Sequence, residues 1–70
     1  MSAVVSPAVG RVVEIAVAVG ALVVAGDEVA VVESMKVEIP VTAAAAGVVA
    51  SIAVGAGDHV QAGDVLLTLR

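Results

Sequence analysis

Short runs rich in valine, broken by glycine, proline and aspartate, recur along this 70-residue chain. Side chains branched at Cβ fit a pleated sheet, whereas glycine and proline interrupt strands. The pattern therefore predicts an all-β fold, with short extended segments near Val23 and Val60. The predicted strands cover residues 3–5, 10–17, 28–34, 37–42, 47–54 and 64–69.

The tripeptide Ala-Gly-Asp occurs twice, ending at Asp27 and Asp64, and it predicts two tight turns. Glycine supplies the positive φ that such turns need, and the aspartate side chain accepts hydrogen bonds from nearby backbone amides. Asp58 follows Gly57 in the same way, so we interpret all three aspartates as turn formers and expect no metal site. Residues 43–46 are four alanines, too few to nucleate a helix, and they are predicted to form a loop.

An internal repeat relates the two halves of the chain. A shift of 37 residues aligns positions 10–32 with 47–69 and makes 10 of the 23 pairs identical. Roughly three or four identities are expected from composition alone. Neither half has enough strands to bury a face by itself. The repeat therefore predicts a sandwich with pseudo-two-fold symmetry, in which each half contributes strands to both sheets.

The segment that joins the halves, residues 33–40, lies outside the repeat and contains the chain's one lysine, Lys36. Met35 and Lys36 occupy the apex of a predicted hairpin, where a tight turn prefers a pair such as Asn-Gly. A left-handed conformation at either residue would cost about 1–2 kcal/mol. Because breaks of a local rule concentrate at functional sites, this apex is the leading candidate for one.

Composition narrows the chemistry that the chain can perform. It has no cysteine and no aromatic residue, which excludes disulfides, a thiolate nucleophile and cysteine-ligated zinc. Seven acidic residues against three basic ones disfavour nucleic acid as a partner, since phosphate contacts need basic side chains. No nucleophile, acid and base can be assembled from the remaining residues, so we expect a protein that is not an enzyme.

The longest stretch without a charge, residues 39–57, approaches the length of a membrane-spanning helix. It contains Pro40 and three glycines, and it lacks flanking basic residues and aromatic belts. The N-terminal residues lack the basic segment of a secretory signal. We therefore expect a cytoplasmic protein with no membrane association, formed by one domain over residues 1–70.

The segment ESMKVEIP, residues 33–40, resembles the attachment site of biotinyl domains, as found in biotin carboxyl carriers and small biotin/lipoyl attachment proteins. The likeness extends over residues 6–13, the turn at Gly26 and residues 57–69, and thus over nearly the whole chain. The resemblance implies a barrel-sandwich hybrid, which is a flattened barrel of two four-stranded antiparallel sheets. It also implies that Lys36 lies on an exposed hairpin opposite the termini.

By this resemblance, Lys36 is the acceptor to which a biotin protein ligase joins biotin through an amide bond. The attached arm would carry a carboxyl group between a biotin carboxylase and a carboxyltransferase, with the protein as carrier and not as catalyst. The residues that flank the lysine are candidates for recognition by the ligase, and they are Met35, Val37, Glu33 and Ser34.

The residues beside Lys36 distinguish biotin from lipoate as the attached group. Lipoyl domains usually have aspartate before the lysine and a small residue after it, so Met35 favours biotin. Val37 stands where biotinyl domains most often have a second methionine, which bears on the efficiency of the ligase. A lipoyl carrier, and an unmodified module that binds a partner through the same hairpin, are the alternative hypotheses.

One turn of the first half is more apolar than its counterpart in the second half. Residues 20–24 are GALVV, whereas residues 57–61 are GDHVQ. Exposed apolar patches often mark contacts, so the first turn is predicted to be a surface for weak self-association of a monomer or for a partner. His59 is interpreted as an exposed turn residue, and Glu33 and Glu38 as solvated strand ends.

Overall fold

Eight β-strands form the fold in the computed structural model, which describes residues 2–70. They are Ser2–Val5 (β1), Gly10–Ile15 (β2), Leu22–Val23 (β3), Glu28–Ser34 (β4), Val37–Thr42 (β5), Gly47–Ile52 (β6), His59–Val60 (β7) and Val65–Leu69 (β8). Within these described residues, no helix has the length and apolar composition to cross a membrane.

The strands form two four-stranded antiparallel sheets that repeat the same order. The first sheet has the order β1-β8-β6-β3, and the second has the order β5-β4-β2-β7. Moving 37 residues along the sequence exchanges β2 with β6, β3 with β7, β4 with β8 and β1 with β5. This exchange converts one strand order into the other, so the predicted all-β sandwich with pseudo-two-fold symmetry is confirmed.

The predicted strands agree with the observed ones to within one residue, except at two ends. β2 and β6 stop at Ile15 and Ile52, two residues before the predicted ends. Beyond these points the chain leaves the ladder and crosses towards the other sheet, and Val17 and Val54 pack against the core instead. Residues 43–46 form a loop, as predicted.

Small aliphatic side chains fill the space between the sheets. The buried hydrophobic residues are valine, leucine and alanine, as expected for a chain without aromatic side chains. Val12 and Val49 are equivalent in the repeat, and both are fully buried. Ser6 is a buried polar residue whose hydroxyl donates a hydrogen bond to the Ala8 carbonyl at 2.7 Å. The two halves therefore share one continuous core.

Three of the four turns with a positive-φ glycine carry an aspartate directly after that glycine. Each aspartate accepts a hydrogen bond from the backbone N–H three residues earlier, at 2.9, 2.9 and 2.7 Å for Asp27, Asp58 and Asp64. The prediction that these residues form turns is confirmed. The fourth turn, at Gly20, has Ala21 in the place of the aspartate.

Candidate functional site

The hairpin between β4 and β5 ends in a two-residue loop made of Met35 and Lys36. The two strands pair from Glu28 opposite Thr42 up to Ser34 opposite Val37. Met35 has φ 51° and Lys36 has φ 66°, so both residues are left-handed. Two left-handed residues in succession are typical of a type I′ turn, which normally contains asparagine and glycine. The conformational conflict that the sequence predicts at this apex is therefore present at both positions.

The ladder of β4 and β5 holds the loop in this conformation. Val32 is fully buried on β4, and Val41 is buried on β5, so both strands are fixed to the core. The pairing of β2 with β4 begins with Arg11 opposite Glu33, so β2 does not accompany the hairpin beyond that pair. The tip therefore projects past its neighbouring strand, and the left-handed loop is stabilised from its base.

The side chains of the tip are open to solvent. Met35 is 94% exposed, so it does not fill a gap in the core. Lys36, Val37 and Glu38 are also exposed. Within the part of the chain that the structure describes, the ion pair that forms joins Arg11 to Glu33, and the Lys36 amine has no acidic partner. The amine is therefore accessible to a large partner.

Gly10, at the start of β2, lies directly beneath the hairpin. A Cβ atom placed on this glycine would fall on the carbonyl oxygen of Glu33. A Cβ atom placed on Gly47, its equivalent in the repeat, would lie 3.1 Å from the carbonyl oxygen of Arg70. Glycine at the start of β2 and of β6 therefore allows a close approach to the backbone of a neighbouring segment. For Gly10, that neighbour is β4, which carries the hairpin.

Glu33, near the end of β4, is a partly solvated residue that also forms an ion pair with Arg11. The Arg11 Nη2 atom lies 3.6 Å from Glu33 Oε1, and both side chains remain partly exposed. A pair of this kind contributes less than about 1 kcal/mol to stability. It fixes the direction of the Glu33 side chain because the two residues are also opposite each other in the ladder. Ser34 is half-buried, and Glu38 is solvated as expected.

A row of polar side chains crosses the outer face of the second sheet next to the tip. Directly paired residues share a face, and the pairs join Glu38 to Glu33, Glu33 to Arg11, and Arg11 to His59. His59 is exposed as predicted, but it lies on β7 and not in a turn, because its backbone pairs with β2. Sequence reasoning missed Arg11, whose place in the row depends on strand pairing. Its neighbour Gly10, repeated as Gly47, was the available signal.

Comparison with known proteins places the hairpin in a family context. The Biotin_lipoyl family, described as biotin-requiring enzyme, matches residues 2–69. The Biotinylated protein TB7.3 homolog of Mycobacterium leprae is 43% identical over 61 residues, which are 87% of this chain and 86% of that protein. The Biotin-dependent acyl-coenzyme A carboxylase alpha3 subunit of the same organism is 46% identical over 68 residues, 97% of this chain and 11% of the subunit.

A solved structure shares the fold at lower identity. The lipoyl domain of the 2-oxoglutarate dehydrogenase complex from Azotobacter vinelandii superposes with a TM-score of 0.76 at 33% sequence identity, over 90% of this chain and 80% of that domain. The chain thus spans most of the small relatives and about a tenth of the carboxylase subunit. Since the family match covers residues 2–69, this chain belongs to the Biotin_lipoyl family.

Proposed function

We propose that the protein is a covalent biotin carrier, acylated on Lys36 by a biotin protein ligase. One observation carries the proposal: the lysine occupies the exposed, left-handed tip of a hairpin that projects past its neighbouring strand. This placement satisfies what a ligase needs, because the amine can enter an enzyme pocket while the rest of the domain stays outside.

The acylation forms an amide from the lysine amine and an activated carboxyl group. The Lys36 nitrogen attacks the carbonyl carbon of biotinyl-adenylate, the bond to AMP breaks, and one proton is released. An ammonium ion is not a nucleophile, so the ligase must also accept the additional proton of the ammonium form before the attack. The lysine suits this role because the amide is durable and the flexible four-carbon stem lengthens the arm.

The attached biotin would carry a carboxyl group from a biotin carboxylase to a carboxyltransferase, while the protein supplies binding and positioning. Tethering raises the effective concentration of the arm at each active site. A relative whose name includes biotin-dependent acyl-coenzyme A carboxylase contains a segment 46% identical to this chain, which supports carboxylase components as partners. In this role the chain is a substrate and a carrier, and the catalysts are its partners.

Met35 supports biotin ahead of lipoate as the attached group. Its exposed thioether is flexible and polarisable, and it suits an apolar contact with the ligase. We propose that Glu33, Ser34 and Val37 complete the recognised segment, with Glu33 oriented by Arg11. The identities of 43% and 46% to proteins named as biotinylated or biotin-dependent also support biotin.

The decisive experiment is labelling with a matched substitution. The chain is incubated with ATP, biotin and a biotin protein ligase, and intact mass with tandem fragmentation should show one adduct on Lys36. Lys36→Arg keeps the charge but removes the primary amine, so it should abolish labelling and change stability by less than about 0.5 kcal/mol.

A parallel reaction with lipoate and a lipoate ligase separates the two carriers. Faster labelling by lipoate would replace the biotin proposal by the lipoyl one. No adduct with either ligase, when both modify other carriers, would favour an unmodified module that binds partners through the hairpin.

A further inference from the structure

The outer faces of the two sheets carry opposite kinds of side chain. All four glutamates of the chain lie on the outer face of the second sheet, and they are Glu14, Glu28, Glu33 and Glu38. Their cross-strand partners confirm the placement, since Glu28 is opposite exposed Thr42 and Glu33 is opposite both Arg11 and Glu38. We call this surface the acidic face.

The outer face of the first sheet has no acidic side chain among the described residues. We call it the neutral face, and it consists of Val5, Leu22, Val48, Ser51, Val65 and Thr68, with Arg70 at one corner. Leu22 is 75% exposed, and Val5 and Val65 are 43% and 41% exposed. The sequence prediction of an exposed apolar patch around residues 20–24 is confirmed, because Val19 and Val24 are also exposed.

The internal repeat shows that the fold does not require apolar residues at these places. A shift of 37 residues pairs Leu22 with His59, Val24 with Gln61 and Val65 with Glu28. The other half of the repeat therefore forms the same fold with polar side chains at the equivalent positions, which are His59 and Gln61 in the second half and Glu28 in the first. The apolar residues of the neutral face contribute little to the core, and their exposure needs another explanation.

The polar groups in the middle of the neutral face satisfy each other. The Ser51 and Thr68 hydroxyls are hydrogen-bonded, with Oγ and Oγ1 2.6 Å apart. Because these hydroxyls have a partner within the same chain, covering them costs less than covering unpaired polar groups. The surface between Leu22 and Val65 can therefore be buried against another apolar surface.

We propose that the neutral face is a self-association surface on which a second copy of this chain packs, sheet against sheet. The net charge of −4 makes copies repel each other wherever their acidic residues meet. The neutral face is the large surface of the molecule from which glutamates are absent, so contact between copies is least opposed there. Packing of two sheets through apolar outer residues has a regular geometry, as in β-sandwiches.

The size of the neutral face sets the strength of this association. The four strands have 4, 5, 6 and 2 residues, and at about 3.3 Å per residue and about 4.8 Å between strands they cover on the order of 300 Å². Stable interfaces bury about 800 Å² per partner. The pairing is therefore weak, with dimers at roughly millimolar concentration and monomers at roughly 10 µM. The hairpin between β4 and β5 stays exposed in both copies of the dimer, because these strands belong to the second sheet and the neutral face belongs to the first.

The test compares the chain with a variant that takes its new residues from the equivalent positions of the internal repeat. Leu22→His, Val24→Gln and Val65→Glu introduce the residues that occupy the equivalent positions. Sedimentation equilibrium between roughly 10 µM and 3 mM should show the mass of the original chain rising towards the dimer, and at least tenfold weaker association of the variant. Gln61→Glu adds the same negative charge outside the neutral face, and it should associate like the original chain.

A second measurement needs no substitution. Backbone NMR signals of the original chain should shift on dilution at Leu22, Val48 and Thr68, and stay fixed at Glu33 and Glu38. A mass that remains monomeric at 3 mM would overturn the proposal, and so would shifts confined to the acidic face. Neither result would affect the proposal that Lys36 is biotinylated, because labelling does not require a dimer.

Discussion

Met35 combines a left-handed backbone, which is unfavourable for a methionine, with nearly complete exposure. Neither property stabilises the fold: a left-handed methionine costs about 1–2 kcal/mol, and an exposed thioether buries nothing. A residue that harms local stability and is fully open to solvent fits selection for contact with a partner. The same reasoning applies to Lys36, whose backbone is also left-handed.

Replacing Met35 by asparagine should separate stability from recognition. Asparagine adopts the left-handed region at lower cost, so Met35→Asn should raise the free energy of unfolding by about 0.5–1 kcal/mol. Urea unfolding followed by far-ultraviolet circular dichroism measures this change. Met35→Leu keeps both the size and the conformational penalty, and its stability should match the original. An asparagine variant less stable than the leucine variant would contradict the account of the turn.

Gly10 should be intolerant of even one methyl group. Gly10→Ala places a Cβ atom on the carbonyl oxygen of Glu33, so β2 must move away from the hairpin, at a cost of roughly 1–3 kcal/mol. The control is Gly55→Ala, because a Cβ atom there meets nothing within 4 Å and the residue has no positive φ. Thermal unfolding of both variants tests the contrast, and equal melting temperatures would disprove the close approach.

Among the elements of the fold, the glycine turns obtain their stability from a repeated hydrogen bond. Asp64 accepts from the Gln61 N–H at 2.7 Å, and Asp64→Ala should lower the free energy of unfolding by about 1 kcal/mol. Asp64→Asn retains an acceptor oxygen and should recover most of that loss. If alanine and asparagine were equally destabilising in urea unfolding, the charge and not the hydrogen bond would be responsible.

Across the whole molecule, features encoded in neighbouring residues could be predicted from the sequence, and features that depend on strand pairing could not. The aspartate turns, the hairpin tip and the two-fold relation follow from local residue types and from the repeat. The contact of Arg11 with Glu33 and the separation of acidic and neutral faces depend on which residues of distant strands stand opposite each other. The early ends of β2 and β6 depend on the crossing of the chain between sheets.

The two-fold relation also determines what surrounds the ends of the described chain. Ser2 and Leu69 are direct cross-strand neighbours, just as Ile39 and Val32 are below the hairpin. A short peptide bridging β8 to β1 would therefore create a circular protein whose new turn copies the existing one. If that bridge repeated the sequence of the tip, the ring would display two lysines related by a half rotation, one from each sheet.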